Sequence, residues 1–172
     1  MIERAGSKLR WRKRKKRQKT SPALRELPIE HLKQVLADHR EWLDSSGESG
    51  RRADLSYAQL QGYSLWRADL REANLSYAAL QGANLDHARL RGANLRHARL
   101  ETASLWEANL CNADLTRAGL QRAKLDHADL SGANLCDADL TGASMWGARL
   151  AGTRLEGAVG TTDEQLSNTH LT

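Results

Sequence analysis

The sequence predicts an all-β fold, a solenoid in which the chain winds through stacked square coils of twenty residues. The first observation is leucine at every fifth position from Leu55 to Leu155, with Met145 as the one substitute. The second is alanine two places before that position in nineteen of the twenty-one units. A period of five fits neither the 3.6-residue period of a helix nor the two-residue period of a strand, so residues 53–157 form a repeat array.

The size of one coil follows from aligning the array with itself at a spacing of twenty residues. Residues 53–62 read ADLSYAQLQG and residues 73–82 read ANLSYAALQG, so outward positions repeat together with inward ones. A quarter turn between successive leucines therefore closes a coil after four units. Coils joined by parallel backbone hydrogen bonds lie ~4.8 Å apart. The twenty-one units give a little over five coils, and each coil buries four leucines and four alanines on its axis.

Two other positions of each unit predict its corners. Asn or Asp directly precedes the leucine in ten units, and such short polar side chains bond to nearby backbone groups in turns. Glycine ends many units, including Gly62, Gly82 and Gly132, and it accommodates a corner with positive φ.

The repeated motif, A(D/N)LXX, resembles that of the pentapeptide-repeat proteins over about three fifths of the chain. The resemblance implies a right-handed quadrilateral parallel β-helix. It implies less about function. The family includes proteins that resemble DNA and bind type II topoisomerases, conferring quinolone resistance, but most members have no assigned activity.

Residues 1–27 are predicted to be a disordered basic tail. The first twenty residues hold ten Lys and Arg against the single Glu3, while the rest of the chain is net negative. Such a run repels itself when free and favours attachment to a polyanion, either nucleic acid or an anionic membrane. The alternative is a solubilising leader with no partner. The candidate polyanion-binding residues are Lys8, Arg10, Arg12, Lys13, Arg14, Lys15, Lys16, Arg17 and Lys19.

Residues 28–52 are predicted to be an N-terminal capping α-helix and a linker. Pro28 suits a first helical turn, and the helix should end near Asp44, before the SSGESG sequence of residues 45–50. Its apolar face should cover the open first coil, because an exposed edge with unpaired backbone invites aggregation. Helical spacing is kept by Leu32, Val35, Leu36, His39 and Leu43. His39 is interpreted as a packing residue at this junction in preference to a catalytic histidine.

Residues 158–172 are predicted to be a C-terminal cap. The leucine period ends after Leu155, and residues 162–166, TDEQL, have the pattern of a capping box that opens a short helical turn. Such a short segment would cover only part of the last coil. Because gyrase-binding relatives dimerise through their carboxyl ends, the resemblance allows either a monomer or an end-to-end homodimer.

One outward column alternates between tryptophan and aspartate. It contains the fourth residue of the unit on the third side of each coil: Trp66, Asp86, Trp106, Asp126 and Trp146. Tryptophan thus returns every forty residues, about 10 Å along the axis. One interpretation is duplication of a two-coil unit, with the indoles lying flat over small side chains. The other is an interaction surface, since exposed large aromatic side chains mark binding sites.

Charge and shape disfavour two functional classes. From residue 53 onward there are fourteen acidic and eleven basic residues, which is too weak a negative charge for mimicry of DNA. A shaft filled by leucine leaves no cleft for a substrate, and His87 and His127 lie about 10 Å apart, too far to share a metal ion. We therefore expect no catalytic activity, no cofactor and no metal site.

The chain is expected to be a cytoplasmic, non-catalytic scaffold that binds an unidentified protein through its outer faces. Cys111 and Cys136 fall on different sides of neighbouring coils, and two unpaired thiols suit a reducing compartment. No stretch reaches the apolar length of a signal peptide or a membrane span. The alternatives are association with DNA or a topoisomerase through the basic tail, and peripheral attachment to an anionic membrane.

Overall fold

The computed structural model describes residues 23–162, which form a short strand, one helix and a long stack of coils. Strand β1 spans Arg25–Glu26, helix α1 spans Ile29–Asp44, and strand β2 spans Ala58–Gln59. Strands β1 and β2 pair in parallel. The coils themselves are joined to one another by single parallel bridges instead of long strands.

The bridges confirm that one coil contains twenty residues. Each joins a residue to the one twenty positions later, from Asp54 with Asn74 to Asp139 with Val159. Every bridge rests on backbone hydrogen bonds in both directions between neighbouring coils. The Leu75 N–H, for example, donates to the carbonyl of Asn94 at 2.7 Å, and the Asn94 N–H donates to the carbonyl of Ala73 at 2.9 Å. Four pentapeptides therefore make one turn of the chain.

The repeated leucines form one continuous core along the axis. Leu75, Leu95 and Leu115, which lie one above another in successive coils, have no exposed surface. Every residue of this series is buried from Leu55 to Leu150, and Leu155 is half-buried. Burying a leucine contributes about 1.5–3 kcal/mol, an upper bound because the unfolded chain also buries some apolar surface. The inward surface of the shaft is therefore the main source of stability.

The corners have the same backbone geometry throughout. The fifth residue of every unit from Tyr57 to Gly157 has positive φ, and thirteen of these residues are not glycine. In the first unit, the Ala58 N–H donates to the carbonyl of Leu55 at 3.1 Å, which closes a turn with the φ signs of type II. Positive φ was predicted from glycine alone. The stacked coils impose it on Arg, His and Tyr as well.

The acidic and amide side chains before the leucines stabilise these corners as predicted. Each of the ten accepts a hydrogen bond from the backbone N–H two residues later. Asp114 Oδ1, for example, accepts from the Thr116 N–H at 3.0 Å. The side chain therefore fixes the start of the turn, where the backbone has no partner of its own.

The N-terminal segment closes the first coil in two ways. Helix α1 packs on the core through Leu32, and the buried His39 accepts the Ala53 N–H through Nδ1 at 3.1 Å. Helix α1 thus ends at Asp44, and Leu32 belongs to the buried core at this end of the coils. The segment before the helix differs from the prediction. Residues 1–27 were assigned to a disordered tail, whereas Arg25–Glu26 pair with Ala58–Gln59 and Leu27 is buried.

The C-terminal end is described only as far as residue 162. Val159 still pairs with Asp139, and its side chain is exposed. The predicted capping box at residues 162–166 and the rest of the predicted cap lie almost entirely outside the described residues. The expected end-to-end dimer likewise stays a prediction.

Candidate interaction face

The tryptophan column, defined as Trp66, Asp86, Trp106, Asp126 and Trp146, runs along one side of the coils as the sequence predicts. Successive members lie one coil apart, because the residue after each member donates its backbone N–H to the carbonyl of the next. Arg67, for instance, donates to the carbonyl of Asp86 at 3.0 Å. The residues Trp66, Trp106 and Trp146 are 52%, 41% and 62% exposed. Three large aromatic groups thus project from one face.

The two aspartates of the column hold the backbone instead of facing solvent freely. Asp86 Oδ1 accepts the Trp106 N–H, and Asp126 Oδ1 accepts the Trp146 N–H, both at 3.0 Å. The Ser144 hydroxyl also donates to Asp126. The carboxylates therefore fix the backbone of the tryptophan one coil further on. Both aspartates are half-buried, so the most exposed side chains of the column are its tryptophans.

Histidines at the neighbouring corner support the indoles. The His87 ring meets Trp66 edge to face at 6.4 Å between centroids and Trp106 at 4.8 Å, while His127 meets Trp146 at 4.5 Å. The indoles therefore pack against imidazoles instead of lying flat over small side chains. These contacts restrict the rotamers of the indoles, which lowers the entropy lost when a partner binds. The sequence already holds a sign of this contact, because His87 follows Asp86 and His127 follows Asp126 in the alignment at twenty residues.

An arginine lies over the first tryptophan, and the histidine beside it contacts a carboxylate. The Arg67 guanidinium lies 4.4 Å from the ring centroid of Trp66, within the range of a cation–π contact. His87 Nδ1 lies 3.3 Å from a carboxylate oxygen of Glu107 in the next coil. At the other end of the column, Trp146 is the most exposed of the three tryptophans.

A second aromatic column lies on another corner and was not predicted. Tyr57 and Tyr77 stack with ring centroids 4.9 Å apart and planes within 3°, and Tyr77 stacks on His97 at 4.6 Å. The fifth residues of these units share one corner in three successive coils. Parallel stacking at the coil spacing therefore fills this corner, and only Tyr77 among the three exposes a large aromatic surface.

The prediction that the molecule has no cleft is wrong on the outside of the coils. A groove of about 800 Å³ lies between helix α1 and the first two coils, lined by side chains that include Leu36, Arg40, Asp69 and Arg89. It depends on where the helix docks, so the repeat pattern alone could not predict it. Four of its lining residues are arginines.

Both cysteines are free and unsuited to nucleophilic chemistry. Burial raises the pKa of the Cys111 thiol, and hydrogen bonding to Asp129 raises it further. The hydrogen bond to Glu156 raises the pKa of the Cys136 thiol, whose Sγ lies 3.0 Å from the carboxylate. Since the thiolate is the reactive form, neither side chain is activated as a nucleophile.

Residues 23–162 contain neither a metal-binding cluster nor a membrane-spanning helix. No group of His, Cys, Asp or Glu in that range could hold a metal ion. Helix α1, the one helix described, is too short and too polar to cross a membrane. The candidate polyanion-binding residues, Lys8 to Lys19, lie outside the described part of the chain.

Comparisons with known proteins place the repeat array in a family. Residues 53–92, 93–132 and 118–157 match the family model for pentapeptide repeats (8 copies). A comparison with curated proteins gives no match.

Solved structures give further similarities. The chain is similar to Rfr23, a pentapeptide-repeat protein from the cyanobacterium Cyanothece 51142, with 36% identity over 61% of this chain and 65% of that one, at a TM-score of 0.45. It is similar to trypsin-treated QnrB1, a plasmid-mediated fluoroquinolone resistance protein, with 24% identity over 69% of this chain and 65% of that one, at a TM-score of 0.58. The chain thus spans just under two thirds of the length of each relative. Because the family model matches residues 53–157, well over half of the sequence, this chain belongs to the pentapeptide-repeat family.

Proposed function

We propose that this protein is a non-catalytic scaffold, a right-handed, four-sided rod that binds a partner protein through the tryptophan column. The single observation that carries the proposal is the presence of three tryptophans, each 41–62% exposed, on one face of the stacked coils. Tryptophan is among the residues that contribute most to protein–protein interfaces, because it buries a large area at a small entropic cost. A scaffold function also fits a shaft filled by leucine.

The rigidity of the face supports this proposal. Asp86 and Asp126 hold the backbone at Trp106 and Trp146, and histidine rings pack against all three indoles. The indoles lie about 10 Å apart because two coils separate them. A rigid row at this spacing suits a partner surface with matching apolar pockets, because the indoles lose little conformational entropy when the partner binds.

The test compares two triple variants of the full chain as affinity baits. In the first, Trp66, Trp106 and Trp146 are replaced by Ala. In the second, the residues at the same place in the same coils on the opposite side, Ser56, Arg96 and Cys136, are replaced by Ala. We expect the tryptophan variant to keep the wild-type circular dichroism spectrum and to lose the partners that wild type and the matched control retain, as measured by quantitative mass spectrometry. Equal recovery by both variants would contradict the proposal.

A second candidate function is association with DNA or a DNA topoisomerase through the basic tail. The observation that favours it is the concentration of ten Lys and Arg in residues 1–20. Counterion release from neutralised phosphates makes such binding strongly dependent on salt. We expect DNA binding that weakens steeply with salt and disappears when residues 1–20 are deleted. Persistence of binding after the deletion would rule out the tail, and unchanged gyrase supercoiling would rule out that enzyme as the target.

Two further measurements test membrane attachment and oligomeric state. Flotation with anionic liposomes, performed with and without residues 1–20, tests whether the same tail prefers a lipid surface. Light scattering after size exclusion tests whether the rod is a monomer or an end-to-end dimer. We also propose that the protein is cytoplasmic, as its two free thiols suit a reducing compartment.

A further inference from the structure

The groove between helix α1 and the first two coils combines an apolar wall with a surplus of positive charge. The helix contributes Leu36, Arg40 and Asp44, and the first two coils contribute three arginines together with Asp69. Its volume of about 800 Å³ lies within the range of sites that hold ligands, roughly 300–1,000 Å³. It is therefore large enough for several groups of one ligand.

The arginines outnumber the carboxylates that could neutralise them. Asp69 receives two contacts from Arg71 at 2.8 Å and one from Arg89 at 3.4 Å, so a single carboxylate serves two guanidinium groups. Arg40 and Asp44 are 3.8 Å apart on the exposed surface of α1. Among residues 23–162, Arg67 forms no ion pair and instead lies over the ring of Trp66. The lining therefore has two more guanidinium groups than carboxylates, and Arg67 is the one of its arginines that contacts no carboxylate among the described residues.

The chemistry of the groove selects its ligand. Guanidinium groups present paired N–H donors that match carboxylates. The side chains of Arg67 and Arg89 are exposed, so both can reach a ligand in the groove. Leu36 gives the same groove an apolar contact. A DNA duplex requires an open, continuous row of cations, whereas helix α1 walls this groove on one side. A short acidic peptide with an apolar side chain satisfies all of these features.

We propose that this groove binds a short acidic peptide segment of a partner protein, with its carboxylates on Arg67 and Arg89 and an apolar side chain on Leu36. This site is separate from the tryptophan column, although Arg67 and His87 contact both the groove and Trp66. Binding in the groove does not require Trp106 or Trp146. Failure of the column to bind a partner would therefore leave this proposal intact.

The test uses the full chain labelled with 5-fluorotryptophan, because its five tryptophans report separately on the tail, the helix and the column. The ¹⁹F resonances are assigned by replacing each tryptophan with Phe. The probe is a capped synthetic peptide, Glu-Glu-Leu-Glu-Glu, and the control peptide carries Gln at the four Glu positions. We expect the acidic peptide to shift the Trp66 resonance in a saturable manner, and the control peptide to leave it unchanged.

Two variants distinguish the groove from the rest of the basic surface. The double variant R67Q/R89Q should weaken binding, measured at the Trp66 resonance, by about tenfold or more, since both guanidinium groups are lost. The matched variant R122Q removes one exposed arginine from another side of the rod and should bind as wild type does. A peptide-induced shift confined to Trp11, or equal affinity in R67Q/R89Q and wild type, would overturn the proposal.

Discussion

Asp86 accepts the backbone N–H of Trp106 through Oδ1 at 3.0 Å, although the two residues are twenty positions apart in sequence. The same bond joins Asp126 to Trp146. The forty-residue alternation in this column therefore has a structural role, because each aspartate accepts a hydrogen bond from the tryptophan one coil later. The acceptor and the exposed aromatic group form one structural unit of two coils.

Replacing Asp86 by Ala should lower the free energy of unfolding by about 0.5–1.5 kcal/mol, since the Trp106 N–H loses its side-chain acceptor. Replacing it by Asn should cost less, because the amide oxygen can accept the same bond. Urea denaturation followed by circular dichroism measures both. Equal losses for the two variants would show that the charge of Asp86, and not its role as an acceptor, stabilises the column.

The buried His39 should make stability depend on pH. Burial lowers its pKa from the usual 6.5, and Nδ1 can accept the Ala53 N–H only when it carries no proton. As pH falls below 6.5, the unfolded chain takes up a proton that the folded chain still excludes. The part of the stability that depends on neutral His39 is therefore fully present above pH 6.5. It falls as the pH drops towards the lower pKa of the folded state, and it levels off below that pKa.

The variant His39→Asn tests this assignment, because Asn offers an acceptor but does not titrate. We expect it to be less stable than wild type at pH 7 and to lose the part of the slope that His39 supplies below pH 6.5. The measurement is a series of urea midpoints at several pH values. An identical slope in wild type and variant would assign the pH dependence to other histidines.

Gly50 should tolerate alanine poorly for a steric reason that can be isolated. A Cβ there would lie 2.6 Å from the backbone nitrogen of Trp42 and would also meet the carbonyl of Asp38, whereas at Gly62 no atom lies within 4 Å. Both glycines have nearly equal positive φ, 71° and 69°. The difference between the two alanine variants therefore measures the clash alone.

We expect G50A to lose about 2 kcal/mol or more of unfolding free energy beyond the loss in G62A. Thermal or urea denaturation of both variants checks this. Because the affected contact joins the linker to helix α1, G50A should also loosen the cap, seen as faster hydrogen exchange in residues 29–44. A loss no larger than that of G62A would mean that the helix shifts without penalty.

Leu105 and Leu155 should differ in their contribution to stability although they occupy the same place in their units. Leu105 is fully buried between coils, so L105A should cost about 2–5 kcal/mol through lost burial and the cavity left behind. Leu155 is half-buried near the end of the described rod, and L155A should cost less. Denaturation of the two variants measures this gradient, and equal costs would indicate that the last coil is covered.

The repeat array could be predicted because each position carries one structural task. Leucine at every fifth residue predicts the shaft, and Asp or Asn before it predicts the turn that Asp114 and Thr116 illustrate. The two-residue strand Arg25–Glu26 could not be predicted, because it has no period of its own and pairs with residues more than thirty positions later. Positive φ at His87 or Arg67 also contradicts local preference, and only stacking on neighbouring coils imposes it.

The candidate site was predictable in part for the same reason. The alignment at twenty residues identified which side chains form the tryptophan column. It could not show that Asp86 faces the next coil, nor that His87 packs against two indoles, because both depend on rotamers. The groove depends on the docking of helix α1, whose position no repeat encodes.

The register of twenty residues between bridged positions also limits how such a gene can change in length. Removing or duplicating twenty residues leaves each side chain on its own side of the rod, but it places tryptophan next to tryptophan or aspartate next to aspartate and so breaks their alternation. Only steps of forty residues preserve both the shaft and the pattern on its surface. Tandem duplication in units of two coils is therefore the way in which this protein can be lengthened, in nature or by design, without a change in the pattern of its surface side chains.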